Sequence, residues 1–291
     1  MSNKRQIKRR ISAAGNISKI TKAMEMVSAS KMKRAQDQAM AARDYALALH
    51  HSLEKVGSNA DPSLHPLLSS PTEGLDILLV IATNKGLCGS LNAQLWKETV
   101  AWKKAHPQGE AMAVGKKGVH FCNLSALPLQ AQFTTLPEAI SSKDVVVISD
   151  LLIKNFLENK YKSVTVLYMD FVNTLSQRPK QIQLLPLKKE LPETVREDVL
   201  VENLGLPAEY LFEPSPKFIL NTLLPFYIEN TIYQAFLESR ASEHSARMVT
   251  MKNASENANE LVSELKLQFN KSRQAAITAE LLDIATASLT L

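Results

Sequence analysis

The sequence predicts an α/β domain set between the two arms of a long antiparallel α-helical coiled coil, the arms being the two ends of the chain. Three observations predict it. Residues 226–291 contain neither glycine nor proline, and residues 2–56 keep a helical pattern of comparable length. At about 1.5 Å of rise per residue the final run alone would reach roughly 100 Å, well beyond an ordinary domain helix. Both ends carry apolar or small residues at alternating steps of four and three, the repeat of a coiled-coil seam. Between them, apolar runs of strand length alternate with helical spacing, the pattern of βαβ units. The chain therefore divides into an N-terminal helix over 1–58, a Rossmann-like α/β domain over 74–188 and a C-terminal helix over 209–291.

In the first helix the seam runs through Ser28, Met32, Ala35, Ala39, Ala42, Ala46, Leu49, Leu53 and Val56. Its small members let a partner backbone approach closely. Upstream, Ile17, Ile20, Met24 and Ser28 step by three, four and four, so the stripe is expected to drift at a stutter near Met24. In the last helix Met251, Ala254, Ala258, Leu261 and Leu265 answer with steps of three and four, and 28–56 is expected to pair with 251–265. Either helix alone would be marginal in water, because burial of such a face supplies most helical stability. Beyond the paired region, Ile277, Leu281, Ile284 and Leu291 continue a stripe while alanines 275, 276, 279, 285 and 287 spread apolar surface around the helix. An end that apolar is expected to be enclosed by another protein.

The middle begins after a proline-rich bend over 61–71. LDILLVIAT (75–83) reads as a strand buried on both faces, followed by glycines at 86 and 89 and a helix over 90–104. A short strand at 111–114, a helix or turn from Lys116, a strand at 127–134 and a strong strand at 164–171 complete the parallel set. Residues 144–160 are ambiguous, since VVVI looks like strand. They read as helix because a βαβ crossover needs one there. A last strand over 181–187 follows a loop over 173–179 too short for a helical crossover, and so is antiparallel at an edge.

Composition narrows the function classes. With 45% hydrophobic and 22% charged residues, the 291-residue chain has ordinary globular composition, and no apolar stretch approaches membrane-spanning length. The start MSNKRQIKRR lacks the apolar core of a secretion signal, and its helical pattern continues onward, so retention is expected. Cys88 and Cys122 lack metal or redox spacing and read as two inert thiols in a reducing compartment. The net charge of +5 is unevenly spread: the first 34 residues hold ten cations against the single acid Glu25. That block calls for an acidic counterpart, whether nucleic acid, an anionic lipid surface or an acidic protein.

The motifs exclude more than they assign. TNKGLCGSLN (83–92) stands where nucleotide-binding folds keep their phosphate loop, but has neither GxGxxG nor GxxxxGK[ST] spacing; GKKG (115–118) fails in the same way. The six histidines form no HExxH or HxH and no metal-ligand spacing with the cysteines, and Glu256 with Glu260 reads as a solvated helix face. No catalytic, cofactor or metal residue is assigned.

The chain closely resembles the gamma-subunit family of F-type ATP synthases, in KITKAMEMVSASKMKRAQ (19–36), GLCGSLN (86–92), SARMVTMKNASENA (245–258) and NKSRQAAITAEL (270–281). The resemblance implies a non-catalytic central rotor, coupling ion flow through a membrane ring to ATP synthesis or hydrolysis on partner subunits. It implies the alpha and beta subunits of the catalytic head, the epsilon subunit and the membrane ring of c subunits as partners, with no nucleic acid, no cofactor and membrane contact through partners only. The matching positions imply head contacts at Lys19, Lys22, Met24, Lys33, Arg273, Gln274 and Thr278, and a coupling role for Arg247. Foot and ring contacts are implied at Phe212 and Glu213, within LFEP (211–214). The absence of a cysteine-bearing insertion in 187–216 departs from the plastid branch, so thiol regulation is not expected; Lys85 and Ser90 are departures that keep the turn. The implied location is the cytoplasmic face of the bacterial plasma membrane, peripheral, with an organelle matrix side as the alternative.

Overall fold

A computed structural model describes residues 2–58, 65–69, 71–138, 140–187 and 215–289. The chain forms two compact units, one made of 31–246 and the other of the two chain ends, 1–30 and 247–291. Helix α1 (Ser2–Ser58) and the last helix, α5 (Pro216–Leu289), each contribute to both.

Within 31–246 a five-stranded sheet has the order β3-β2-β1-β4-β5. Strand β1 (Leu75–Ile81) lies at its centre, parallel to β2 (Glu110–Val114) and β4 (Tyr161–Phe171). Strand β3 (Leu129–Phe133) continues the parallel set, and β5 (Gln177–Leu185) closes it antiparallel to β4. The near-continuous apolar run of β1 is explained by cover on both faces. Ile77, Leu79 and Ile81 share one core with Val145, Ile148, Leu152 and Phe156 of α4 (Ser142–Leu157) and with Leu224, Ile228 and Ile232 of α5. Leu78 and Val80 face the other core, with Leu91, Leu95 and Trp102 of α2 (Leu91–Ala105) and Phe121 and Cys122 of α3 (Lys116–Leu124). The ambiguous VVVI segment is helical because its buried residues fall at three- and four-residue steps. Its start is also capped: the Asp144 carboxylate accepts from the Ser141 N–H at 2.8 Å and from its hydroxyl at 2.7 Å.

Several boundaries differ from the sequence reading, among them the start of β4 at Tyr161 rather than 164 and the end of α4 at Leu157 rather than 160. The edge strand starts at Gln177 rather than 181, because the loop contracts to a tight turn in which Asn173 Oδ1 accepts from the N–H groups of Leu175 and Ser176, both at 2.9 Å. Pro179 then falls inside β5, which an edge strand tolerates. The last helix is described from Pro216 and passes through Pro225, and the expected residues 209–214 lie outside the described residues. An interior proline costs about 3 kcal/mol, here offset by burial of Leu220, Leu224, Ile228 and Ile232, all at 2% exposure or less.

In the unit formed by the chain ends, α1 and α5 pair antiparallel, joined by polar bonds. The Ser18 hydroxyl donates to Asn259 Oδ1 at 2.7 Å, and the Ser255 hydroxyl donates to the Ser18 carbonyl at 3.3 Å. This register corrects the expected pairing. Residues 251–265 of α5 face the turns of α1 around Ser18, not 28–56. The stutter is absent as well: Ile7, Ala14, Ser18 and Ser28 are buried, Ile11, Thr21 and Glu25 half-buried, and all keep four-three steps. Ile17 and Ile20 are 53% and 60% exposed. On α5 the seam takes Met251, Ser255, Ala258, Val262 and Leu265, leaving Leu261 42% exposed. Small polar residues won the seam because they allow close backbone approach and bond across it. Of the seam positions expected in 28–56, Ala35 and Leu49 are buried, while the side chains of Ala46, Leu53 and Val56 lie outside the described residues.

Candidate functional site

In an open α/β sheet, ligands enter outside the carboxyl ends of the strands, where the strand order reverses. Here that point lies between β1 and β4, and it is filled by α5. The Ser242 hydroxyl donates to the Met169 carbonyl at 3.0 Å, and Ser239 Oγ lies 3.4 Å from the Ile81 carbonyl, which accepts from it. The Ser239 oxygen in turn accepts from the Met169 N–H at 3.5 Å, and the Ser245 hydroxyl donates to the Thr174 carbonyl of the β4–β5 turn at 2.7 Å. Three serines at three-residue steps thus stitch one helix face to the ends of two strands. The run SRASEHSA, which the sequence reading passed over, carried the signal: small residues at helical spacing mark a close helix contact.

The loops that would cradle a phosphate are spent internally. At the start of α3 the Lys116 N–H donates to Asn84 Oδ1 and the Lys117 N–H to the Thr83 carbonyl, both at 3.0 Å. The GLCGSLN turn closes on itself: Asn92 Oδ1 accepts from the Thr83 hydroxyl at 3.0 Å, and Asn92 Nδ2 donates to Cys88 Sγ at 3.2 Å. Leu87, with φ 63°, and Gly89, with φ 58°, turn the chain in the left-handed region. Gly115 is obligatory, since its φ is 80° and an added Cβ would stand 2.4 Å from the Ala82 carbonyl oxygen. Both cysteines are buried, and burial pushes the Cys122 thiol up to about 11, which fits inert thiols. Among the described residues no group of three His, Cys, Asp or Glu could hold a metal ion, and no helix is long and apolar enough to cross a membrane.

Most of the described basic residues of α1 are exposed, and several are engaged. Lys22 Nζ stands 3.0 Å from Glu25, Lys33 Nζ stands 2.8 Å from Asp37, and Lys31 pairs with Glu138 in the loop before α4. The hydrogen bond from Lys31 holds the Glu138 carboxyl below its usual range. Lys19 is exposed and Met24 half-buried. Beside them Ile17, Ile20, Met26 and Val27 are each more than half exposed, a surface the sequence reading assigned to the seam or missed.

On α5, Arg247 is buried at 7% exposure, whereas Arg273, Gln274 and Thr278 are exposed, the Thr278 hydroxyl bonding the Gln274 carbonyl at 3.0 Å. The antiparallel register brings the first residues of α1 level with 271–274, so α5 continues without an α1 residue opposite it. There Ile277, Leu281, Leu282 and Ile284 are between 47% and 67% exposed. Phe212 and Glu213 lie outside the described residues.

Comparison with known proteins gives these features a setting. A family model described as ATP synthase matches residues 3–291. The ATP synthase gamma chain of Opitutus terrae is 39% identical over 292 residues, covering 99% of this chain and 98% of that one. The ATP synthase gamma chain of Dehalococcoides mccartyi is 39% identical over 288 residues, covering 98% and 97%. Among solved structures, a chain of the central stalk and c-ring of the Tetrahymena thermophila mitochondrial ATP synthase superposes with a TM-score of 0.62 at 26% identity, over 81% of this chain and 99% of that one. A chain of the Euglena gracilis mitochondrial ATP synthase, in the assembly of OSCP, F1 and c-ring, gives 0.66 at 19% identity, over 99% and 94%.

Proposed function

We propose, from the premise that this chain belongs to the ATP synthase gamma-chain family, that it is the central rotor shaft of an ion-driven ATP synthase and carries no catalytic site of its own. The observation that carries this reading is the end of α5, where four large apolar side chains stand exposed on a helix that has outrun its partner. Such a surface is stable only inside a sleeve supplied by another protein. In this reading the alpha and beta subunits form that sleeve and hold the three catalytic sites.

The remaining assignments follow the same division. The shaft is built by residues 1–58 and 209–291, and 74–188 is the domain that grips it. Lys19, Lys22, Met24 and Lys33 meet acidic loops of the head, Arg273, Gln274 and Thr278 hydrogen-bond it near the tip, and Arg247 sets coupling. Phe212 and Glu213 touch the c ring and the epsilon subunit. The complex works on the cytoplasmic face of the bacterial plasma membrane, where this chain is peripheral. An eccentric two-helix rod biases bistable subunits only by touching each of them differently as it turns, so coupling resides in differential contacts.

Deleting residues 274–291 tests the claim. The full chain copurifies with the head subunits as an ATPase, and the truncated chain gives a complex with lost coupled activity. Full coupled synthesis by the truncated complex would overturn the role given to the tip, and failure of the intact chain to copurify would overturn the rotor reading itself.

A further inference from the structure

The contact between α5 and the edge of the sheet holds two carboxyl groups that the rotor reading does not use. Met169 of β4 is bonded on both its N–H and its carbonyl by Ser239 and Ser242 of α5. The residues next in sequence, Asp170 and Glu238, are thereby brought to the same level of the interface, and Asp170 lies within hydrogen-bonding reach of Glu238. On α5 itself Gln234 Nε2 donates to Glu238 Oε1 at 3.1 Å. Glu238 Oε2 is shut off from solvent and makes no hydrogen bond. From β4, the Tyr168 hydroxyl faces the same carboxyl, and from β5, Lys180 Nζ stands 4.0 Å from Asp170.

We propose that Glu238 is held protonated and donates to Asp170, and that this pair forms a pH-sensitive clasp between α5 and the β4–β5 edge of the sheet. A protonated Glu238 donates to Asp170, which satisfies the buried Oε2 position and removes one of two adjacent negative charges. Loss of that proton leaves two carboxylates facing each other in a dry contact, with a single lysine against one of them. The groups around Glu238 agree: burial first, then the Asp170 charge, raise its proton affinity, and Gln234 and Lys180 oppose them. Burial also raises the Tyr168 hydroxyl well above its ordinary range, so it stays neutral and adds no further charge to the pair.

The direction in pH follows from linkage. A carboxyl whose proton affinity is higher in the fold than in the unfolded chain makes stability fall as pH rises from the ordinary carboxylate range toward its folded pKa. Glu238→Gln keeps the shape and the donor and cannot ionise. The test is thermal unfolding of the full chain from about pH 5 to about pH 8, where the variant's melting temperature should rise above the wild type's by a growing margin, reaching a few degrees. A constant margin would overturn the clasp, and so would a variant that melts below the wild type at every pH, because that marks Glu238 as a charged partner of Lys180. Infrared difference spectra supply a second readout: a protonated-carboxyl band at neutral pH in the wild type, missing from Glu238→Gln. Its absence from the wild type also overturns the proposal. Should Glu238→Gln fold poorly, Asp170→Asn carries the same test, since removing either carboxyl relieves the repulsion between the two and should give the same growing margin. None of these outcomes bears on the rotor reading, which would stand or fall separately.

Discussion

Single hydroxyls fix the hold of the central unit on its helix. Ser242 is fully buried and its hydroxyl bonds the Met169 carbonyl at 3.0 Å, beyond the last β4 residue paired with β1. Removing a donor from a buried acceptor costs its desolvation, roughly 1–3 kcal/mol, while the deleted oxygen also leaves a small void. Ser242→Ala should therefore lower the urea midpoint of the full chain by that order, with the slope unchanged. Ser263→Ala is the control, because Ser263 is exposed and its hydroxyl only returns to the Asn259 carbonyl of its own helix at 3.1 Å. Its effect should stay within about 0.5 kcal/mol.

At the scale of elements, the sequence was legible where pattern and burial coincide. The LDILLVI run, the βαβ alternation and the antiparallel edge strand all follow from which residues must avoid water. The coiled-coil register was not legible, because hydropathy favours Ile17, Ile20 and Leu261, whereas the contact is built on Ser18, Ser255, Ala258 and Asn259. Close approach and a cross-helix hydrogen bond outweigh the loss of three large side chains to solvent. The same reason hid the serine face of α5, since small polar residues carry little hydropathy. The failed phosphate loop was legible in its spacing, but not the helix that fills the crevice. The two registers predict different mutants. Leu265, 2% exposed, is a seam residue in both, and Leu265→Ala should cost about 2–5 kcal/mol. Leu261, 42% exposed, separates them: Leu261→Ala should cost no more than about 0.5 kcal/mol, and Val262→Ala clearly more. Thermal melts of the three variants decide it, and a costly Leu261→Ala would restore the register read from hydropathy.

For the whole molecule, the question is whether a Rossmann-like sheet has kept any nucleotide chemistry inside a machine whose purpose is nucleotide chemistry. Binding there needs free N–H groups at a helix start and an open crevice where strand order reverses. Both are taken: Asn84 and Thr83 accept the first N–H groups of α3, and Ser239 and Ser242 of α5 occupy the ends of β1 and β4. A ligand would have to displace a helix whose residues Ile228, Ile232, Ala235 and Phe236 are also in the core, at 2% exposure or less. That makes the crevice a packed helix contact rather than an open pocket. Calorimetric titration of the full chain with ATP or with NADH should accordingly give no saturable heat up to millimolar ligand, about the weakest affinity such a titration resolves. Saturable binding would show that the crevice opens, and the reading of it as a closed helix contact would have to be abandoned.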